Sequence, residues 1–112
     1  MALSEKVLGL ALTTSPQTVY AVPAGKKARI LLCQVANVDG SNAATVTIQW
    51  RDASSGSPAD TFRLGYQLSV AAGDAAALIA GGLILEAGDE FEALASANGD
   101  LELTFAYQEI DV

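Results

Sequence analysis

The sequence predicts an all-β chain folded as a single-domain antiparallel β-sandwich of jelly-roll or immunoglobulin-like type. Three observations predict it. A five-residue phrase (apolar, variable, Ala, Gly, charge) occurs at Val22–Lys26 (VPAGK), Val70–Asp74 (VAAGD) and Leu85–Asp89 (LEAGD). Glycine takes positive φ at no steric cost, so each copy reads as a corner where one strand ends and the next begins. Between corners the apolar residues alternate with period two, as in half-buried strands. Many short strands punctuated by glycine turns lead to a sandwich or barrel. The copies are spaced 48 and then 15 residues apart, which is no solenoid period.

The first strand is expected over 5–12, inside an apolar chain end that carries Leu3, Val7, Leu8, Leu10 and Leu12. Chain ends are often poorly ordered unless docked. Residues 1–12 therefore read either as an arm that packs on a neighbouring subunit or as the first strand of the chain's own sandwich, and 13–112 as the sandwich itself. Further strands are expected over 17–22, 27–38, 43–51, 61–65, 67–70, 75–80, 82–86, 90–97 and 100–110. The clearest is Ala44–Trp50, where Ala44, Val46, Ile48 and Trp50 share one face against Thr45, Thr47 and Gln49. The last strand repeats this, with Leu101, Leu103, Phe105 and Tyr107 on one face. Thr, Val, Ile and aromatic enrichment in these segments suits strands. Loops are expected at Thr13–Pro16, Asp39–Asn42 and Arg51–Asp60. Ala71–Ala80 has helical propensity, but Gly73, Gly81 and Gly82 leave fewer than the ~12 residues a stable helix prefers. Asn98-Gly99 suggests a hairpin. A three-residue loop over Asn98–Asp100 places Phe91, Ala93 and Ala95 on the side of Tyr107, Phe105 and Leu103, so that register is expected.

At 112 residues the chain buries roughly two thirds of its unfolded surface, enough for one core. Net charge is −7, which argues against nucleic acid, since phosphate binding needs clustered Lys and Arg. Lys26, Lys27 and Arg29 do cluster, and read as a solvated hairpin end. No apolar run approaches the ~20 residues of a membrane helix, and the N-terminus lacks the basic start and apolar block of a signal peptide. Synthesis in the cytosol and no membrane partner are expected.

Without histidine the chain lacks the usual general base and the commonest metal ligand, so no metal, cofactor or enzymatic activity is expected. Cys33, the one cysteine, lies in an apolar run and reads as a buried small hydrophobe. Glu86, Asp89, Glu90 and Glu92 crowd one region, but Glu90 and Glu92 have the spacing of a solvated strand face rather than of a catalytic pair. Asp39–Asn42 lacks the full calcium-loop pattern and reads as an ordinary hairpin turn. Gly81-Gly82 precedes a strand, not a helix, and so is no phosphate loop. Trp50, Phe62 and Tyr66 suggest a sugar-stacking platform, although the place of Trp50 on the Val46–Ile48 face favours a core or subunit contact.

The stretch Val19-Tyr20-Ala-Val22-Pro-Ala-Gly25-Lys26, with Ala28-Arg-Ile30, Val35–Gly40, Gly81-Gly-Leu83-Ile-Leu85-Glu-Ala-Gly88-Asp89 and Ala95–Gly99, resembles the small all-β virion proteins of tailed bacteriophages. In these a TVYTVPAGK-like opening and a GGLVLEAGD-like phrase frame a compact sandwich. The similarity runs from about Leu8 to Ile110. Ala21 stands where the family often has Thr, and Ala75–Ala77 replace bulkier residues. The resemblance implies a structural virion protein with no catalytic residue, placed in the virion after synthesis in the host cytoplasm. Its partners would be itself, as a symmetric oligomer such as a trimer, and the major capsid protein or other virion proteins. A head decoration or cement role is expected. A neck, tail or fibre accessory, or a carbohydrate-binding module using the Arg51–Asp60 loop, are the alternatives. Expected interface residues are Leu3, Val7, Leu8, Leu10, Trp50, Phe62 and Tyr66.

Overall fold

Alternating apolar residues give strands throughout the computed structural model, which describes residues 3–53, 60–79 and 82–112. Among these, nine strands run in order: β1 (Leu3–Ala11), β2 (Gln17–Ala21), β3 (Lys26–Asn37), β4 (Ala44–Asp52), β5 (Asp60–Val70), β6 (Ala75–Ala77), β7 (Leu83–Leu85), β8 (Glu90–Ala95) and β9 (Leu101–Asp111). One sheet has the order β1-β9-β3, with β6 and β7 sharing the free edge of β3; the other is β2-β8-β4-β5. Every pairing is antiparallel. The pairs β1–β9, β2–β8, β3–β6/β7 and β4–β5 nest inside one another like a hairpin rolled over itself. With β6 and β7 as two pieces of one edge strand, this is the eight-strand jelly roll. The expected sandwich is therefore present, and its topology selects the jelly roll over the immunoglobulin-like arrangement.

The core lies between the sheets. From the first sheet come Ile30, Cys33, Val35, Leu85, Leu101, Leu103 and Phe105; from the second, Val46, Ile48, Phe91 and Ala93. Phe91 and Phe105 meet across it with ring centroids 4.8 Å apart.

The thrice-repeated phrase folds each time into the same turn. Lys26 N–H donates to Pro23 O, Asp74 N–H to Ala71 O, and Asp89 N–H to Glu86 O. Gly25, Gly73 and Gly88 occupy the third position with φ of 76°, 74° and 91°. A positive φ at that position alone defines a type II turn, and glycine supplies it. Each turn carries the chain from one sheet to the other: β2 to β3, β5 to β6, and β7 to β8. Two of the corners also bind each other, since Val22 N–H donates to Asp89 O and Gly88 N–H to Val22 O.

Several expectations are corrected. Asn98-Gly99 does not close a hairpin: β8 lies in one sheet and β9 in the other, and Gly99 (φ 79°) is a fourth sheet-switching corner. Phe91, Ala93 and Ala95 do share the core with Leu103, Phe105 and Tyr107, but face them instead of lying beside them. Alternation tells which side of a strand is buried, not whether two buried sides are neighbours or opposites. Asp39–Asn42 likewise joins β3 to β4 across the sheets rather than as a hairpin turn. The strands expected at 61–65 and 67–70 are one strand, β5, which keeps going through Gln67 at φ 50° because Gln67 N–H bonds Thr47 Oγ1 at 3.0 Å. The strand expected over 75–80 stops at Ala77 among the described residues. Gly81 and most of the Arg51–Asp60 loop lie outside them. Among the described residues no helix is long and apolar enough to cross a membrane.

Candidate assembly surface

Strand parity sorts the apolar N-terminal segment into two sets. In the β1–β9 register Leu8 lies opposite Phe105 and Leu10 opposite Leu103, so both face inward, where they are half-buried against the core. Leu3 and Val7 lie on the outer face and are 58% and 68% exposed. Lys6 shares the inward side, and its Nζ stands 3.9 Å from Glu109 Oε1. Glu109 is buried and accepts a 2.6 Å hydrogen bond from Tyr20 Oη, a bridge between the two sheets. Burial first, then this bond to a carboxylate, raises the Tyr20 phenol above its ordinary range.

The aromatic group also divides. Trp50 sits on the inward face of β4 and packs on the core, with its ring 5.5 Å from Phe62. Phe62 and Tyr66, on edge strand β5, are 50% and 65% exposed. They stand four positions apart along β5, and among the described residues Tyr66 shows no ring contact, so no three-ring platform forms. Leu64 and Leu68 are exposed on the same strand. Leu64 joins Leu78, Ile79, Gly82 and Leu83 around a hollow of about 270 Å³ between β5 and the β6–β7 edge. Among the described residues Trp50 Nε1 is buried without a hydrogen-bond partner.

The carboxylates are taken up structurally. Asp89 is buried and accepts Glu86 N–H at 3.0 Å, which braces its own corner. On the outer face of the second sheet Glu92 accepts from Gln49 Nε2 at 2.8 Å, while Glu90 accepts from Thr18 Oγ1 at 3.2 Å and pairs with Arg51 at 3.5 Å. Asp39 accepts from the N–H groups of Ser41 and Asn42, which holds its carboxyl below the usual range. Lys26 pairs with Asp111 at 2.6 Å, and Cys33 is buried with its thiol pushed up to about 12.

Sequence reading missed Glu109, Leu64 and Leu68. Glu109 was readable: it is the next odd position after the core-facing run 101, 103, 105 and 107. Leu64 and Leu68 were hidden by the irregular register of β5, which changes which side a residue faces.

Fold and surface together define a jelly-roll sandwich with apolar side chains on edge strands of both sheets. No protein-family model matches the sequence, and no curated protein matches it. Among solved structures, the chain is similar to Bacillus endospore appendages, described as a novel family of disulfide-linked pili. The TM-score is 0.53 at 15% identity, over 96% of this chain and 84% of that one. A pentameric capsid protein isolated from metagenomic phage sequences aligns with TM-score 0.49 at 16% identity, over 94% of this chain and 61% of that one. At such identity the first likeness bears on the fold alone, and the second is too slight to add to it.

Proposed function

We propose that the chain is a structural protein of a tailed-phage virion, a head decoration or cement protein that assembles as a symmetric oligomer with copies of itself and with the major capsid protein. The observation that carries this reading is the placement of exposed apolar side chains. Of the eleven large exposed hydrophobic residues described, six lie on two edge strands, Leu3 and Val7 on β1 and Phe62, Leu64, Tyr66 and Leu68 on β5; Leu31 and Leu32 lie on β3, Ile84 on β7, and Val38 and Val112 outside the strands. Apolar groups gathered on a surface mark contact sites. On an edge strand they stand beside unpaired backbone groups, which also seek partners. The resemblance to phage virion proteins supports the same reading, since VPAGK and LEAGD are the phrases that build its sheet-switching corners. A like fold occurs in the Bacillus appendages, which are pili. No catalysis and no cofactor enter the proposal.

The test is mass spectrometry and immunogold labelling of purified particles of the phage that carries this sequence. The expected result is many copies, in a simple ratio to the major capsid protein, with label over the head. Label on the neck, tail or fibre moves the protein to an accessory role. Absence from the particle overturns the proposal. The exposed rings of Phe62 and Tyr66 favour one rival, a carbohydrate-binding module; a monomer that binds glycans and loses binding on Tyr66→Ala establishes it instead.

A further inference from the structure

Natural sheets blunt their edges with brevity, bulges, proline or charge, because unpaired strands recruit other strands. Three of the four edges here are blunted. Strand β2 has five residues and a register break between Thr18 and Tyr20. Strand β5 breaks register twice against β4 and holds Gln67 at φ 50°. The edge along β3 is cut into β6 and β7, three residues each. Strand β1 differs: its two charges are taken up within the chain, Glu5 by Gln108 and Lys6 by Glu109, and among the described residues its nine positions run in unbroken register against β9.

The ladder fixes where its backbone points. Leu12 N–H donates to Leu101 O, continuing the register that sets Ala11 opposite Glu102. Antiparallel partners alternate between bonded and non-bonded pairs. Even-numbered residues therefore bond β9, and Leu3, Glu5, Val7, Gly9 and Ala11 turn N–H and C=O away from the sheet.

We infer that β1 pairs antiparallel with β1 of a second copy of this chain, about a two-fold axis through Val7, joining two first sheets into one. The inference rests on the reading that the chain assembles with itself, and it names the surface. In this register Leu3 lies opposite Ala11 of the second copy, Glu5 opposite Gly9, and Val7 opposite Val7. Each copy brings five outward N–H and five outward C=O groups, so two copies form ten hydrogen bonds and leave none of these groups unpaired. Slipping by two residues toward the N-terminus sets Lys6 against Lys6, and by four, Glu5 against Glu5; like charges directly opposite are destabilising. Slipping the other way shortens the overlap. The full register sets uncharged Gly9 and Leu8 against Glu5 and Lys6, and covers Val7, the most exposed large hydrophobe on β1, with its own copy.

The experiment uses the full chain in analytical ultracentrifugation with three variants. Val7→Lys and Val7→Glu alter an outward side chain, and Val7→Pro deletes an outward N–H while leaving every bond to β9. Proline is tolerated where a strand's N–H faces solvent, and circular dichroism spectra unchanged from wild type confirm the folds. Each variant alone is expected to raise the dimer Kd by about tenfold or more. An equimolar mixture of Val7→Lys and Val7→Glu is expected to regain dimer, because the two charges meet at the axis. A monomeric wild type overturns the inference together with self-assembly. An oligomer indifferent to all three variants overturns this surface but leaves assembly through another. Loss in the single variants without recovery in the mixture overturns the two-fold register, as does a closed trimer that uses β1.

Discussion

At the scale of single residues the molecule depends on a few buried polar contacts and one aromatic stack. Phe91 and Phe105 are fully buried and tie the sheets together, so Phe105→Ala is expected to cost about 3–5 kcal/mol in urea denaturation. Tyr20 and Glu109 form the polar counterpart. Tyr20→Phe leaves a buried carboxylate oxygen without its donor, and about 1–3 kcal/mol of stability is expected to be lost at neutral pH. The pH dependence has a definite sign. Folding raises the Tyr20 pKa above its unfolded value near 10, so the stabilisation is complete below about pH 10 and is lost as pH rises beyond it. The gap between wild type and Tyr20→Phe should therefore narrow by about 1.4 kcal/mol per pH unit above pH ~10. A gap that stays constant to pH 11.5 contradicts the assigned bond. Tyr107, also raised by burial, titrates in both proteins and cancels in the comparison. Cys33, buried and with its thiol pushed up to about 12, should react with a disulfide reagent at pH 8 only as fast as the protein unfolds. Prompt stoichiometric labelling of the folded protein would show that the thiol is accessible.

At the scale of elements, the type II corners do the topological work. Gly25, Gly73 and Gly88 have open space where a Cβ would stand, so any penalty for alanine comes from the backbone alone. An L-residue held in the left-handed region costs about 1–2 kcal/mol, which is the loss expected for Gly88→Ala by urea denaturation at an unchanged m-value. Gly40→Ala is the control: its surroundings are equally open and its φ is not left-handed. It should be neutral or stabilise slightly, because alanine restricts the unfolded chain. Equal effects at both positions would refute the corner mechanism. These corners also mark how far the sequence could be read. Strands and corners were legible because a period of two and a glycine after alanine are local signals. The pairing of β8 with β2 and β4, instead of β9, was not, because side-by-side and face-to-face strands bury the same alternate residues. The candidate surface shows the same limit. Leu3, Val7, Leu8 and Leu10 were legible as an apolar group, but odd and even positions face opposite ways once β1 pairs with β9. The continuation of β5 through Gln67 had no sequence signal, since it depends on the distant Thr47 hydroxyl.

At the scale of the whole molecule, the rolled hairpin makes almost every pairing distant in sequence. Leu3 lies opposite Ile110, and β2 pairs with β8; of the strand pairs described, only β4–β5 joins consecutive strands. Loop closure must precede such distant contacts, so folding in milliseconds to seconds is expected, as in other sheet proteins of high contact order. The β4–β5 hairpin closes the shortest loop and can form before the rest of the roll encloses it. Strand β1 docks on β9 at the outside of the roll and is expected to gain its contacts late. The two regions should then divide a loss of stability differently between the rates. Ile48→Val, in the buried centre of β4, is expected to lower stability by about 0.5–1.5 kcal/mol and to slow folding. Leu10→Ala, on β1, is expected to leave the folding rate nearly unchanged and to speed unfolding. Trp50, the single tryptophan, sits on β4 beside Phe62 and reports both limbs of the chevron by stopped-flow fluorescence. If Leu10→Ala slows folding as much as Ile48→Val does, the outer strand is already in place at the barrier, and folding does not proceed outward from the central hairpin.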